Sequence, residues 1–273
     1  MTQALEPVLL REYRADVFAY MRGALCPPST LAGSIIAYQL GLADRGGAAR
    51  EAPSHNMIRP SLYLWAVGAC GGDAAAFVPF AASMEMLHNF ALIHDDIRCE
   101  RQTRDGRETA WSVWGLGQGV NAGDALHSLA LSVLSRETDR EDLALGVFRR
   151  VVEAVNEGID GSSRAHRTAG LPSGQYLRAA LRKTGALVGI SLEAGARAAG
   201  ASGRRAVALR RAGRYLGVAL QLHDDCDTRP AGSADLAERC RAGAVRLVAG
   251  CGFEPYWLQR FEEMAGYIAE RAR

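Results

Sequence analysis

Two pairs of adjacent aspartates are the residues of this chain best suited to do chemistry. Asp95 and Asp96 follow an apolar segment at residues 91–93, and Asp224 and Asp225 follow a largely apolar segment at 219–222. Neighbouring carboxylates beside apolar helical residues are costly unless something neutralises them. Because Mg²⁺ prefers carboxylate and phosphate oxygens, the repeated pattern predicts two facing helices whose acids converge on a shared divalent cation. The alternative is that each pair ends a helix and is simply solvated.

The elements that position these residues are predicted to be helices. Apolar residues recur three or four positions apart, and alternating strand patterns are hard to find. Short breaks rich in Gly or Pro separate the segments, and no linker divides the chain. We therefore predict a single all-α domain at residues 1–273, an antiparallel helical bundle around a central cavity. The predicted helices cover residues 3–24, 29–43, 60–70, 73–102, 118–136, 140–160, 173–200, 203–229, 232–249 and 255–271.

The composition limits the class of protein. A chain of 273 residues with 48% hydrophobic and 23% charged residues is typical of a globular enzyme-sized domain. A formal net charge of +2 gives no support for a nucleic-acid partner. The N-terminal segment has no apolar leader, and no uncharged apolar run reaches about eighteen residues, so we expect no membrane partner. The six cysteines show no CxxC or zinc-ligand spacing, which is consistent with a reduced, cytoplasmic protein.

Six short segments carry a more specific pattern. They read RPSL at 59–62, EMLHNFALIHDD at 85–96, NAGDAL at 121–126 and QYLRAALRKTGAL at 175–187, with Gly106 and Thr109 as a fifth and Gln221 with Asp224-Asp225 as a sixth. Their order and spacing resemble the trans-isoprenyl diphosphate synthase family, from about Arg59 to Asp227. The resemblance implies the all-α isoprenoid-synthase fold, a homodimer, and an allylic isoprenyl diphosphate substrate held through a cluster of Mg²⁺, which we expect to contain three ions.

The resemblance implies that the allylic diphosphate site is kept. Asp95 and Asp96 match the first acidic motif, and Arg104 matches an arginine that grips the allylic diphosphate. Lys183 and Thr184 match a Lys-Thr pair with the same role, and Lys183 is the only lysine in the chain. The catalytic residues expected on this basis are Asp95, Asp96, Arg104, Lys183 and Asp224, and Gln221 is expected to contact the substrate.

Both acidic motifs are altered. The first has Cys99 where the family motif has its third aspartate, followed by Glu100, which is four residues from Asp96 and therefore predicted to share a helix face with it. The second motif has Asp227 and then Thr228, whose hydroxyl is a candidate ligand, and Arg229 is a candidate for the positive charge lost downstream. The expected metal ligands are Asp95, Asp96, Glu100, Asp224, Asp225, Asp227 and Thr228.

The pocket that would hold isopentenyl diphosphate, the nucleophile of chain elongation, has lost cations. Residues 55–60 read HNMIRP where the family has a Gly-Lys-Arg-x-Arg-Pro segment, and residues 104–106 read Arg-Asp-Gly where it has Arg-Arg-Gly. Only Arg59 and His88 remain at matching positions. Each charge-assisted hydrogen bond lost is worth about 1.5–3 kcal/mol, so the sequence predicts much weaker binding of this diphosphate.

These features favour an enzyme that ionises a C10–C20 allylic diphosphate and cyclises the carbocation without isopentenyl diphosphate, a terpene cyclase on a prenyl-synthase scaffold. Phe90 is placed to narrow the pocket for the isoprenoid tail. Phe90, Tyr63 and Trp65 are candidates to steady cationic carbon with their ring faces, although core packing is the stronger interpretation for these aromatics.

Three other functions stay open. One is prenyl transfer to a different, uncharged acceptor that occupies the vacated pocket. Another is ordinary chain elongation, with arginines from elsewhere in the chain rebuilding the isopentenyl pocket. The last is a non-catalytic subunit that modulates a true synthase, which the altered motifs favour and the retained aspartate pairs, Arg104 and Lys183 oppose.

Overall fold

The computed structural model describes residues 6–25, 30–51, 57–136, 173–225 and 230–271, together with Arg149, Glu153 and Glu157. Within them the chain forms α1 Val8–Leu25, α2 Leu31–Gln39, α3 Ile58–Ala69, α4 Val78–Arg98, α5 Ala110–Trp114, α6 Leu116–Arg136, α7 Ser173–Arg182, α8 Thr184–Ala198, α9 Gly203–Asp224, α10 Ser233–Ala249 and α11 Pro255–Arg271. A 3₁₀ turn, Ala75–Phe77, precedes α4, and a hairpin pairs β1 Thr103–Arg104 with β2 Arg107–Glu108. The predicted all-α fold is confirmed.

The chain divides into two compact units. The first unit comprises Tyr13–Pro60 and Ala76–Ala144, and the second comprises Met1–Glu12, Ser61–Ala75 and Leu145–Arg273. The first acidic pair belongs to the first unit and the second acidic pair to the second unit. The single domain inferred from the sequence, with its two acidic pairs converging, stays a prediction.

In the first unit, α4 packs against α6 and supplies much of the core. Phe80, Met84 and Leu87 of α4 are buried, as are Leu126 and Ala130 of α6. Full burial of an apolar side chain of this size contributes about 1.5–3 kcal/mol. This contact therefore fixes the direction of α4, whose last turn carries the first acidic pair.

A small polar network is buried within the same helix. The side-chain amide of Asn89 donates to the carbonyl oxygen of Glu85 at 2.9 Å and to its Oε1 at 3.1 Å. Gln39 of α2 donates from Nε2 to Oδ1 of Asn89 at 3.2 Å. Buried polar groups that are satisfied in this way define one packing arrangement, so the network fixes α2 against the middle of α4.

The segment Ala75–Arg98 is, among the described residues, the one helix long and apolar enough to cross a membrane by length and composition. Its most apolar window is 61% buried inside the protein. Core helices of globular domains meet the same criteria, and packing of α4 against α6 accounts for the apolar character. The absence of a membrane partner stays a prediction.

The second unit is organised around close contact between α8 and α9. A Cβ atom on Gly217 would lie 2.5 Å from the Cα of Gly185, and one on Gly213 would lie 2.6 Å from the carbonyl oxygen of Val188. Because both neighbours are backbone atoms, neither can move aside. Glycine at these positions lets the two helices approach, which brings Thr184 of α8 beside Gln221 of α9.

Aromatic residues of α3 form the core of the second unit. Trp65 is fully buried, donates from Nε1 to the carbonyl oxygen of Trp257 at 3.0 Å, and has ring centroids of Phe261 and Phe253 at 4.9 and 5.6 Å. Tyr63 is also fully buried, and burial raises the pKa of its hydroxyl. These contacts favour core packing over contact with a carbocation for Trp65.

Two differences from the predicted helices affect the site. The helix predicted at 173–200 is interrupted at Lys183, whose ψ of −87° lies outside the helical range, so that α7 and α8 are separate helices. The hairpin at residues 103–108 was not predicted because strands of two residues carry no alternating pattern.

Other boundaries moved by a few residues. The helix predicted at 73–102 is the 3₁₀ turn and α4, which ends at Arg98, and α9 ends at Asp224. The helix predicted at 140–160 lies outside the described residues except at Arg149, Glu153 and Glu157, each of which is helical.

Substitution Gly217→Ala tests the contact between α8 and α9. The added methyl group meets the backbone of Gly185, so we expect the free energy of unfolding to fall by about 1–3 kcal/mol in urea denaturation. Gly266→Ala in α11 is the matched control, because nothing lies within 4 Å of the position that its Cβ would take, and alanine there should raise stability by about 0.5–1 kcal/mol. Equal stability of the two variants would contradict the close approach of α8 and α9 at Gly217.

Candidate active site

The first acidic pair lies in the last turn of α4. The side chain of Asp96 is 3% exposed and that of Asp95 is 10% exposed. Both carboxylates are thus largely removed from water, as the apolar residues before them predict. Groups this buried must be neutralised by nearby cations or donors.

The end of α4 explains the position of Glu100. The N–H of Glu100 donates to the carbonyl of Ile97 at 3.1 Å, and the N–H of Arg101 donates to the carbonyl of Asp96 at 2.9 Å. This pair of bonds is a Schellman motif, and Glu100 takes its left-handed position with φ of 51°. The prediction that Glu100 shares a helix face with Asp96 is therefore wrong, because the helix ends at Arg98. The role of Glu100 as a metal ligand stays a prediction, and it no longer has the support of a helix face shared with Asp96.

Arg104 neutralises Asp96. Its Nε and Nη2 donate to Oδ1 of Asp96 at 2.9 and 2.6 Å, and Nε is also 3.1 Å from Oδ2. Burial raises the pKa of the Asp96 carboxyl, and the hydrogen bond and charge of Arg104 oppose that rise without cancelling it. The guanidinium predicted to grip a diphosphate is thus paired with a predicted metal ligand.

Asp95 is surrounded by three arginines. Arg98 forms an ion pair with Oδ1 through Nη2, while Nη1 of Arg101 and Nη2 of Arg104 lie 3.5 and 3.6 Å from Oδ2. The sulfur of Cys99 is 3.6 Å from Oδ1. The sequence interpretation missed Arg98 and Arg101, although the spacing of three between Asp95 and Arg98 on a helix is a signal for an ion pair.

The hairpin positions Arg104 through a two-residue turn. Arg104 pairs with Arg107 across the strands, and Asp105 and Gly106 form the turn with φ of 49° and 74°. Positive φ at both positions is the requirement of a type I′ turn, for which Asp-Gly is a favoured sequence. Asp105 is exposed and stands where the family pattern has an arginine, at a positive φ that is tolerated mainly by Gly, Asn and Asp.

Contacts on either side fix the hairpin and the loop before it. Arg107 donates from Nη2 to the carbonyl of Tyr38 at 3.0 Å, and its guanidinium lies 4.3 Å from the centroid of that ring. The hydroxyl of Thr109 and the indole N–H of Trp111 both donate to the carbonyl of Arg101, at 2.7 and 2.8 Å. The backbone around the three arginines is therefore well determined, while their side chains reach the aspartates.

Phe90 lies between two histidines one turn before the aspartates. Its ring centroid is 4.8 Å from that of His94 on α4 and 4.8 Å from that of His127 on α6. A Cβ on Gly123 would lie 2.3 Å from Nε2 of His94, and that nitrogen is 3.6 Å from Oδ1 of Asp124. Gly123 in the NAGDAL segment thus leaves room for His94. The predicted role of Phe90 in limiting tail length stays a prediction.

The residues matched to the isopentenyl pocket are only partly described. Arg59 lies in the first turn of α3 and His88 in the middle of α4, both half-buried in the first unit. Of the two lost cations of this segment, the lysine position, Asn56, lies outside the described residues, and the arginine position, Met57, is buried just before α3. Substrate contact by Arg59 and His88 stays a prediction.

In the second unit, the predicted diphosphate residues surround the break between α7 and α8. Lys183 is the residue between the helices, and Thr184 begins α8. The hydroxyl of Thr184 donates to Oε1 of Gln221, and both residues are buried. Two residues singled out from separate motifs are therefore in contact, which supports their assignment to one site.

The second acidic pair ends α9. Asp224 is the last helical residue and is exposed, and Asp225 follows it and accepts a hydrogen bond from the Tyr176 hydroxyl at 2.9 Å. Tyr176 was missed as a candidate, although it lies in the QYLRAALRKTGAL segment. The predicted ligands Asp227 and Thr228 and the candidate cation Arg229 lie outside the described residues.

Asp96→Asn tests the burial of the first acidic pair. A raised folded pKa means that the folded protein holds this proton more tightly than the unfolded chain, so the wild type loses stability as pH rises above the ordinary aspartate pKa. We expect the variant to gain in free energy of unfolding relative to wild type between pH 4 and pH 7, measured in EDTA. In the variant, Nη2 of Arg104 still lies 3.6 Å from Oδ2 of Asp95, so the guanidinium group keeps an anionic partner.

The substitution Asp16→Asn at an exposed position of α1 is the control for the loss of one negative charge. A stability difference for Asp96→Asn that shrinks as pH rises would contradict the direction of the pKa shift.

Comparison with known proteins finds relatives that are named isoprenyl diphosphate synthases. A geranylgeranyl diphosphate synthase from Mycobacterium tuberculosis is 38% identical over 230 residues, which are 81% of this chain and 64% of that protein. The chain thus spans less than two thirds of the length of that relative.

Solved structures share the fold. A polyprenyl synthetase from Streptomyces coelicolor A3(2) has a TM-score of 0.82 and 23% identity over 95% of this chain and 98% of that one. A polyprenyl synthase from Caulobacter crescentus CB15, complexed with calcium and isoprenyl diphosphate, has a TM-score of 0.80 and 20% identity over 97% of each chain. The polyprenyl synthetase family model matches residues 52–228, and with the 38% identical synthase this shows that the chain belongs to the polyprenyl synthetase family.

Proposed function

We propose that this chain ionises an allylic isoprenyl diphosphate with the help of Mg²⁺ and joins the allylic group to isopentenyl diphosphate. The observation that carries the proposal is the set of Asp95, Asp96 and Arg104 in contact, within a chain 38% identical to a geranylgeranyl diphosphate synthase. The sequence alone favoured cyclisation. The named activity of the relatives weighs instead for chain elongation, which was one of the alternatives.

The carboxylates of the first acidic pair fit a Mg²⁺ ion that binds together with the phosphates of a substrate. Among the described residues, no three His, Cys, Asp or Glu side chains are grouped closely enough to hold a metal ion. Mg²⁺ commonly uses one or two carboxylates together with substrate phosphates, which is the set that Asp95 and Asp96 offer. The calcium in the Caulobacter synthase complex is a related hard cation. When bound, Mg²⁺ draws negative charge from the departing diphosphate.

The chain's own residues then have distinct tasks. Arg104 and Lys183 offer cationic donors to the diphosphate, which leaves with the electron pair of the C1–O bond. The alkene of isopentenyl diphosphate forms the new carbon–carbon bond, and a proton is lost. Phe90, between His94 and His127, would limit the length of the isoprenoid tail. The homodimer and the cytoplasmic location expected from the sequence stay predictions.

The lost cations at residues 56, 57 and 105 bear on how tightly isopentenyl diphosphate binds. Asp105 is exposed in its turn and adds a negative charge where the family has an arginine. Under the elongation proposal, these changes raise KM for isopentenyl diphosphate without removing the reaction. Cyclisation is the second candidate function, and Asp105 is the observation that favours it.

The reaction is tested by supplying C10, C15 and C20 allylic diphosphates with Mg²⁺, with and without isopentenyl diphosphate. We expect a longer linear prenyl diphosphate only when the C5 partner is present, identified by mass spectrometry. A cyclic or rearranged hydrocarbon formed without it would contradict elongation and support cyclisation. No product in any mixture would favour a non-catalytic subunit.

Asp95→Ala and Lys183→Ala test the placement of the site. Each is expected to lower kcat/KM by about 100-fold or more, because Asp95 would supply a carboxylate to Mg²⁺ and Lys183 would supply a cationic donor to the departing diphosphate. Asp16→Asn is the control and should retain turnover. Undiminished activity in both variants would mean that ionisation occurs elsewhere in the molecule.

Asp105→Arg tests the weakened isopentenyl pocket. Restoring a charge-assisted donor should lower KM for isopentenyl diphosphate by about tenfold or more, while a long side chain at positive φ costs on the order of 1 kcal/mol of stability. Asp105→Asn removes the negative charge and keeps a residue suited to the turn, so its KM for isopentenyl diphosphate should lie between those of wild type and Asp105→Arg. An unchanged KM in both variants would show that residue 105 does not face this substrate.

A further inference from the structure

Two arginines that match no motif of the family pattern contact the first acidic pair. Arg98 forms an ion pair with Oδ1 of Asp95, and Nη1 of Arg101 lies 3.5 Å from Oδ2 of the same carboxylate. The side chains of Arg98 and Arg101 are 34% and 38% exposed, whereas that of Asp95 is 10% exposed. Both guanidinium groups therefore reach from solvent onto a carboxylate that is largely buried.

Cys99 helps to explain why Arg98 is paired with Asp95. Cys99 stands at the third acidic position of the first motif, and it offers Arg98 only a sulfur at 3.6 Å. A thiol is a weak acceptor compared with a carboxylate. The carboxylate of Asp95 is a stronger acceptor for Arg98 than this sulfur.

The charges in contact favour an anion over a lone cation. In the ion pairs at these two carboxylates, the guanidinium groups of Arg98, Arg101 and Arg104 outnumber the carboxylates of Asp95 and Asp96. A divalent cation that binds Asp95 must displace guanidinium groups and enter a positive environment. A diphosphate is attracted to the same guanidinium groups, because it offers several anionic oxygens and guanidinium binds phosphate well.

We propose that Arg98 and Arg101 form a latch on Asp95 that opens when a diphosphate binds. The two guanidinium groups leave Asp95 for phosphate oxygens, and the freed carboxylate becomes available to Mg²⁺. The inference rests on the proposed function, since it assigns these arginines to the diphosphate of the same site. By thermodynamic linkage, diphosphate then strengthens metal binding and the metal strengthens diphosphate binding.

The latch makes the two ligands respond in opposite directions to one substitution. We would measure Mn²⁺ binding by electron paramagnetic resonance without phosphate, and inorganic pyrophosphate binding by calorimetry in EDTA, for wild type, Arg98→Ala and Arg98→Ala/Arg101→Ala. Removing the arginines should tighten Mn²⁺ binding and weaken pyrophosphate binding, each by about tenfold in the double variant. A merely structural effect would move both affinities in the same direction.

Arg45→Ala is the matched control. Arg45 belongs to the first unit and contacts Glu108 at 2.9 Å in an exposed ion pair, so its loss removes the same charge without touching Asp95. Both affinities should stay at the wild-type values in this variant. An unchanged Mn²⁺ affinity or an unchanged pyrophosphate affinity in the double arginine variant would overturn the latch. A wild-type protein that binds neither ligand would overturn the proposed function itself, which is a distinguishable result.

Discussion

The buried ion pair between Arg104 and Asp96 is the interaction on which the first half of the site depends. Asp96 is 3% exposed, and an isolated carboxylate in that position would cost several kcal/mol, about the scale of a whole domain's stability. Arg104 can meet it because a two-residue turn folds the chain back just after α4 ends. The hairpin, its Asp-Gly turn and the contacts that fix Arg107 and Thr109 all serve to keep this guanidinium in place.

Two departures from the family motifs lie at unusual backbone conformations. Glu100 and Asp105 both have positive φ, one at the end of α4 and the other in the hairpin turn. Their side-chain charges were the basis of the sequence interpretation, one as a metal ligand and one as a repulsive group. The Asp-Gly turn is a conformational reason for aspartate at 105, so its charge alone does not explain that residue, whereas Glu100 takes its left-handed position at a conformational cost. The case for cyclisation is weakened accordingly.

The same loop shows how the altered first acidic motif balances carboxylates against arginines. With Cys99 in place of a carboxylate, the first motif has two buried acids and three nearby arginines, which is a site poor in metal ligands and rich in phosphate donors. Such a balance suits a metal that arrives with its diphosphate better than a metal held permanently. In the second unit, Thr184 and Gln221 form a buried hydrogen bond between two motifs that are remote in sequence.

The sequence by itself determined the all-α class, the approximate bounds of most helices and the family. Helical periodicity is a local property, so α11 lies where its pattern predicted, and the segment order identified the relatives. Tertiary structure alone decided that Arg101 and Arg104 reach the aspartates and that Lys183 interrupts a predicted helix. These depend on which side chains and backbone atoms meet in space, and on burial that makes some pairings obligatory. Spacing along the chain carries no record of that.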